Sequence, residues 1–297
     1  MIPNKPFFSI VIPSYNRAKV LRSAIESVVQ QNFTNWECLI IDDGSTDSTE
    51  TLVSEMQNLD KRIKYFYQNN QERSAARNNG ISKSKGDFIC FLDSDDTYDV
   101  DFLKELELKI NETNADLLIS SVEVNSAEAS ILNESRQENF SLNYFFSTSI
   151  VPGRCCIRKQ SLAKVNFTPG INISEDTLFL CDVRATNPNI SAAPKAILKY
   201  NEHDDNSVNY KKFNAYSERY ETLQFILKKD YASQLDSKLV RETLSNCFFG
   251  IFKYYYYNHK TFRARITMIK AILLFPLSRT KEKLHLLIFA HRKNLFS

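Results

Sequence analysis

The chain lacks the cysteine spacing of a zinc knuckle or a disulfide scaffold. Its six cysteines (Cys38, Cys90, Cys155, Cys156, Cys181 and Cys247) include no CxxC pair. Several lie in apolar runs such as Asp87–Leu92, which predicts buried, reduced thiols rather than metal ligands. No apolar run approaches the roughly 20 residues a membrane-spanning helix requires. The longest, Ala271–Leu277 and Leu284–Ala290, fall well short. Strand-like sequence begins at Phe7 with no charged-then-apolar leader before it, so the expectation is a cytoplasmic protein without a span. No GxGxxG follows the first apolar run, and no GxxxxGK ending in Ser or Thr occurs anywhere. A dinucleotide-binding dehydrogenase and a P-loop enzyme are thereby disfavoured.

What is present is a folding composition. Hydrophobic residues make up 43% of the 297 positions and charged residues 25%, which excludes a disordered or fibrous chain. The formal charge of +3 is too balanced to suggest nucleic-acid binding. That average conceals an asymmetry: Ile251–Ser297 holds ten Lys/Arg against the single acid Glu282, a net +9, and the preceding chain is acidic at −6.

The first half alternates between two periodicities. Phe8–Pro13 is an apolar β-branched run, and Ala18–Gln31 carries Val20, Leu21, Ala24, Ile25, Val28 and Val29 on one helical face. Cys38–Ile41, Ile63–Gln68, Asp87–Leu92 and Ala115–Val122 read as further strands. Helices are expected over Thr49–Leu59, Glu72–Ser84 and Val100–Asn111. Such alternation implies βαβ units and a mostly parallel sheet covered by helices. After Glu123 a polar stretch to about Asn143 reads as a long surface connection, and from about Tyr210 the sequence is helical in character. The expected organisation is an α/β domain over residues 1–206 and a helical C-terminal region over 207–297.

Polar clusters concentrate where ligands bind open parallel sheets, beyond the carboxyl ends of the strands. They are Pro13-Ser14-Tyr15-Asn16-Arg17, Asp42-Asp43-Gly44-Ser45, Asp93-Ser94-Asp95-Asp96, and the helix segment Arg73–Gly80. Each has a structural alternative: an Asx turn with a helix cap at Asp42–Asp47, a ring covering the sheet edge at Tyr15, a solvated charge at Arg77. Three carboxylates within Asp93–Asp96 repel one another unless a cation neutralises them. A hard divalent ion that also holds substrate phosphates suits this cluster.

In this order and spacing, SIVIPSYNR (Ser9–Arg17), IIDDGSTD (Ile40–Asp47), SAARNNGI (Ser74–Ile81) and GDFICFLDSDD (Gly86–Asp96) closely resemble the family-2 glycosyltransferases of GT-A fold. The likeness is strong over about the first 105 residues. It continues more weakly through Ile173–Phe179 to the Tyr200–Asn206 loop. It implies an α/β fold of GT-A type, with a Rossmann-like, mostly parallel sheet flanked by helices. The implied activity is metal-dependent, inverting transfer of a sugar from a nucleotide sugar, a UDP-sugar above all, to a saccharide or lipid-linked saccharide. Surface polysaccharide synthesis is the implied setting.

Carried over residue by residue, the resemblance places Pro13 and Tyr15 beside the nucleobase, Asp43 in a hydrogen bond to it, and Arg77 near the base or diphosphate. Asp93 and Ser94 would line the donor site. Asp93 would face the ribose and metal shell, and Asp95 would ligate Mn²⁺ or Mg²⁺. His203 falls where some relatives supply a late metal or diphosphate ligand, although a surface histidine fits as well. Glu175-Asp176 resembles the ED motif, in which the aspartate takes the acceptor proton. The same pair also suits a helix N-terminus, where carboxylates are favoured. Arg154 and Arg158 either meet an acceptor phosphate or flank a strand.

Two alternatives to the transferase reading are a sugar-phosphate nucleotidylyltransferase and a non-catalytic saccharide-binding member. The first wants a glycine-rich basic loop, and Pro13–Arg17 has no glycine. Against the second stand the intact Asp93, Asp95 and Asp176. Basic and apolar residues intermix over Arg263–Phe289, with Pro276 interrupting any single helix. Residues 261–297 would therefore lie on an anionic membrane surface, making the protein peripheral on the inner face, or pack on the catalytic domain. Oligomeric state is not encoded in any visible pattern.

Overall fold

The structure is a computed structural model describing residues 5–125, 130–133, 135, 139–201, 215–258 and 260–274. In chain order the strands and helices are β1 (Phe8–Ser14), α1 (Ala18–Val29), β2 (Trp36–Asp42), α2 (Thr49–Leu59), β3 (Ile63–Tyr67), α3 (Glu72–Lys83), β4 (Phe88–Phe91), β5 (Thr97–Tyr98) and α4 (Phe102–Thr113). They continue with β6 (Leu117–Asn125), β7 (Ser130–Asn133), α5 (Leu142–Ser147), β8 (Cys155–Arg158), α6 (Glu175–Ala185), β9 (Ile190–Asn201), α7 (Ala215–Ile226), α8 (Ser237–Tyr257) and α9 (Thr261–Leu274). Two compact units divide the chain. The first comprises Met1–Ser141, Ile150–Ile171 and Phe179–Asp204; the second comprises Leu142–Ser149, Asn172–Leu178 and Asp205–Ser297.

The first unit holds a sheet ordered β3-β2-β1-β4-β8-β6-β9-β5, with β7 paired to β6. Its first four strands are parallel, as the alternation of the sequence implies. Every residue of β1 and β2 is buried, which explains why both are mainly apolar without alternation, Ser9, Ser14, Glu37 and Asp42 being the buried polar exceptions. Beyond β4 the sheet is mixed: β8 runs antiparallel to both β4 and β6, and β9 runs parallel to β6. The polar stretch after Glu123 is not simply a surface connection. There β6 continues to Asn125 and pairs with β7 from Val122↔Asn133 to Asn125↔Ser130. Cross-strand hydrogen bonds, which leave no hydrophobic signature, define that pair.

On α1 the buried stripe is Leu21, Ala24, Ile25 and Val28, and it packs into the core with Ile10, Ile12 and Ile40. Helix α3 lies close against β1. A Cβ built on Gly80 would come within 2.2 Å of Val11 Cγ1, so only glycine permits this approach. That closeness fixes the height at which Arg77, one turn earlier, meets the sheet. All six cysteines are buried and unbridged, as expected.

One ionisable group sits deep in β2. Glu37 accepts from Ser9 Oγ at 2.6 Å, Lys64 Nζ at 2.6 Å and the Lys85 N–H at 2.5 Å. Burial pushes its carboxyl upward, but the Lys64, Ser9 and Lys85 hydrogen bonds outweigh burial and hold it below its ordinary value.

Helices dominate the second unit. Asp236 caps α8 by accepting from the Leu239 N–H at 2.7 Å, and Tyr220 of α7 packs its ring 4.7 Å from that of Phe248. Ala264, Met268 and Ala271 of α9 close a small core with Phe249 and Phe252 of α8. Among the described residues no helix is long and apolar enough to cross a membrane.

Candidate active site

Strands β1 and β4 separate after Val11↔Phe91, whereas β1 stays paired with β2 as far as Ser14↔Asp42. The strand order β3-β2-β1-β4 therefore has its switch point at the β1/β4 boundary, and the carboxyl ends there are where the ligand crevice of such sheets usually lies. Pro13 lies beyond the last residue paired with β4, where its missing N–H costs no bond on that side.

Arg77 defines one wall. Its side chain is among the largest fully buried ones, at 2% exposure, so the solvated-charge alternative does not hold. Nη2 donates to Asp93 Oδ1 at 2.8 Å, and the guanidinium carbon lies 5.2 Å from the centre of the Phe167 ring. Phe167 is itself fixed. Asn78 donates to its carbonyl at 2.8 Å and accepts from its N–H at 2.9 Å, and Phe179 stacks on the ring at 3.8 Å. A buried guanidinium supported in this way holds a fixed positive charge at the crevice.

Asp43 is buried at 3% exposure. Its Oδ1 accepts from Gln68 Nε2 at 2.7 Å and from the Gln71 N–H at 2.9 Å, while its own N–H donates to the Ser14 carbonyl at 2.8 Å. Asp42 is engaged differently, accepting from the Ser45 N–H at 2.8 Å and Tyr65 Oη at 2.6 Å. The Asx turn envisaged for this segment is thus real at Asp42, and Asp43 is the carboxylate at the rim. Tyr15 is half-exposed beside them.

In the acidic cluster, Ser94 and Asp96 are buried and Asp93 is one-third exposed. Asp96 Oδ1 accepts from the Asn201 N–H at 3.1 Å, and Asn201 Nδ2 donates to the Asp95 carbonyl at 2.9 Å. Burial, then the neighbouring Asp93 and Asp95 charges, pushes the Asp96 carboxyl up to about 8 against the opposing Asn201 hydrogen bond. Among the described residues no three His, Cys, Asp or Glu side chains form a ready cage for a metal. Asp93 and Asp95 nonetheless fit a hard divalent ion, which often takes one or two carboxylates and fills its other positions with phosphate oxygens and water. Two further features suit a polar ligand. The buried Ser14 and Ser74 hydroxyls have no hydrogen-bond partner among the described residues.

Glu175 and Asp176 belong to the second unit and open α6. Glu175 is buried, and Asp176 Oδ1 accepts from the Thr177 N–H at 2.6 Å, so the expected helix-terminus role is present. The preceding Ser174 takes φ 62°, a left-handed conformation that sets the entry into the helix. His203 lies outside the described residues, as do residues 275–297. Arg154 Nε donates to the Ser120 carbonyl at 2.8 Å, and Arg158 Nε donates to Asp116 Oδ1 at 2.7 Å. Both therefore brace strands, and Arg158 sits opposite Phe88, at the amino end of β4 away from Asp93.

Sequence reasoning overlooked Gln68 and Gln71, which hold the candidate carboxylate Asp43, and Asn201, which holds Asp96 and the Asp95 backbone. Gln68 and Gln71 are near neighbours of the SAARNNGI motif. Asn201 has no local signal, because it meets Asp96 only through the β9 pairing.

Residues 9–165, more than half of the chain, match the sequence model described as Glycosyl transferase family 2. The chain belongs to that family. Membership removes the nucleotidylyltransferase alternative. Glycosyltransferase GlyA of Streptococcus pneumoniae is 35% identical over 113 residues, covering 38% of this chain and 16% of that protein. The GalNAc(5)-diNAcBac-PP-undecaprenol beta-1,3-glucosyltransferase of Campylobacter jejuni is 38% identical over 109 residues, covering 36% of this chain and 35% of that protein. These matches thus span well under half of each relative's length. The Staphylococcus aureus TarS 1–349 structure in complex with UDP-GlcNAc superposes with a TM-score of 0.66 at 19% identity, covering 90% of this chain and 81% of that one. That likeness shows the GT-A-like fold expected from the motifs, with helices flanking the sheet and a helical C-terminal region; the sheet itself is mixed rather than mostly parallel, because β8 and the pairings of β5 and β7 run antiparallel.

Proposed function

We propose that this family-2 member moves a sugar from a UDP-sugar to a saccharide or lipid-linked saccharide, with inversion, in surface polysaccharide synthesis. The observation that carries the reading is the buried Arg77 locked to Asp93 beside Asp95 at the β1/β4 crevice. A fixed cation and a set of carboxylates at one strand edge suit a diphosphate leaving group and its counterion. Solved structures of TarS with UDP-GlcNAc and with UDP support a UDP-linked donor, and the Campylobacter relative's name supports a polyprenol-linked acceptor.

In this reading Pro13, Tyr15 and Asp43 hold the nucleobase, with Asp43 kept rigid by Gln68 and Gln71. Arg77 faces the diphosphate, and Asp93 and Ser94 line the ribose side. Asp95 and Asp93 would hold Mn²⁺ or Mg²⁺, which when bound stabilises negative charge on the departing diphosphate. His203 is carried as a further diphosphate or metal ligand. Asp176, seconded by Glu175, takes the acceptor hydroxyl proton as that oxygen attacks the anomeric carbon from the face opposite the diphosphate. Proton, sugar and diphosphate then each have a destination.

Helix α9 supports a peripheral position on the inner membrane face. It exposes Phe262, Ile266, Ile269 and Leu273, spaced i, i+4, i+7 and i+11, alongside Arg263, Arg265 and Lys270. An apolar stripe flanked by cations suits the headgroup layer of an anionic bilayer. The decisive experiment for the activity incubates the protein with a panel of UDP-sugars and polyprenol-linked or free saccharides, with Mn²⁺ or with EDTA. Metal-dependent UDP release with an inverted anomeric product is expected; no turnover of any donor would overturn the reading.

A further inference from the structure

The second unit contains a cavity of about 400 Å³ that the transfer chemistry does not use. Tyr216 and Arg219 line it from α7, and Glu242, Thr243 and Asn246 line it from α8. These residues recur at helical spacing: 216 and 219 fall on one face of α7, 242 and 246 on one face of α8. The aromatic wall is built into the fold. A Cβ on Gly250 would fall 2.2 Å from Tyr216 Cγ, so the ring rests directly on the backbone of α8. Arg219 also hydrogen-bonds the Cys247 thiol, which burial pushes up to about 11 against that contact.

Three properties narrow the ligand. Arg219 and Glu242 cancel in charge, so the lining gives no preference for a phosphate or another anion. Thr243 Oγ1 already donates to the Leu239 carbonyl at 2.8 Å and Arg219 bonds the Cys247 thiol, yet guanidinium, carboxylate, carboxamide and hydroxyl groups each keep further donor or acceptor capacity that a hydroxyl-rich ligand can use. The volume suits a small molecule, roughly one or two pyranose rings, rather than a folded partner. A neutral molecule rich in hydroxyls, with C–H faces to set against a tyrosine ring, meets all three.

We infer that this cavity binds a neutral saccharide, holding one or two rings of a longer chain. The choice of saccharide over another neutral polyol rests on the glycosyltransferase reading; the cavity and its chemistry do not. The test uses full-length protein with chitotetraose, cellotetraose and maltotetraose as probes, followed by saturation-transfer NMR and calorimetry. At least one tetrasaccharide should bind in the millimolar range, and Glu242→Gln and Asn246→Ala should each weaken it about tenfold or more. Melting temperature and UDP affinity, read on the same samples, should stay at wild-type values because UDP is assigned to the first unit. A third variant, Tyr216→Ala, should abolish binding by removing the ring. Failure of all three probes at about 10 mM, or binding that survives Glu242→Gln and Asn246→Ala, overturns the inference. Saccharide binding that depends on these residues in a protein that never binds UDP would instead sustain the cavity and sink the glycosyltransferase reading.

Discussion

Arg77 and Asp93 meet at 2.8 Å across the crevice, the arginine buried and the aspartate one-third exposed. The arginine is backed by the Phe167 ring, and the aspartate keeps access to solvent. Removing the cation should therefore affect stability and binding together. Arg77→Ala is expected to cost about 2 kcal/mol in urea unfolding, below the loss for a wholly buried pair because Asp93 is partly solvated. Arg77→Lys should retain most of the stability yet weaken UDP binding about tenfold in calorimetry.

The acidic cluster should answer to divalent ions. Wild-type protein is expected to bind UDP more tightly with Mn²⁺ than with EDTA. Asp95→Asn should erase that difference while keeping the metal-free affinity. Equal wild-type affinities in the two buffers would remove the cation from the proposal.

Asp176→Asn tests the proposed base. The asparagine can still accept from the Thr177 N–H, so the helix start and the melting temperature should survive. Turnover should fall by about 10²–10⁴ with UDP affinity unchanged. Near-normal turnover would mean that another group takes the proton.

Glu37 sets a pH dependence of stability unrelated to catalysis. Its folded carboxyl is held below the ordinary value, so its contribution is complete above about pH 4.3, where an unfolded glutamate is ionised, and is lost as pH falls through the lower folded value. Glu37→Gln should destabilise by about 2 kcal/mol at pH 7, because the amide oxygen can still accept from Ser9 and Lys85 while Lys64 loses its carboxylate partner. The gap between wild type and variant should narrow below pH 4. A gap that stays constant to pH 3 would contradict the assignment.

Helix α9 can be tested without disturbing its buried face. Replacing Ile269 and Leu273 by Ser leaves Ala264, Met268 and Ala271 in place. Co-sedimentation with phosphatidylglycerol vesicles should drop several-fold, with little binding of either protein to phosphatidylcholine vesicles. Wild-type protein that ignores both vesicle types would dispose of the membrane reading.

Much of the first unit could be read along the chain because its signals are local. A strand buried on both faces reads as a short, mainly apolar run without alternation, as Phe8–Ser14 does, and a helix over such a sheet repeats its apolar residues at 3.6-residue spacing, as α1 does. The ends of those strands must carry whatever polar groups the crevice displays. Asp43, Asp93 and Asp95 could therefore be named as candidates before any coordinates, and Arg77 joined them through the motif on the helix after β3. Tertiary structure alone decided the rest. It buried Arg77 where the sequence allowed a surface charge, since burial depends on Gly80 meeting Val11 and on Phe167, 90 positions further along. It turned the polar stretch after Glu123 into a strand pair, and it brought Asn201 to Asp96 through a pairing more than 100 residues apart. Such contacts depend on distance in space, and neither side-chain periodicity nor local motif spacing encodes that.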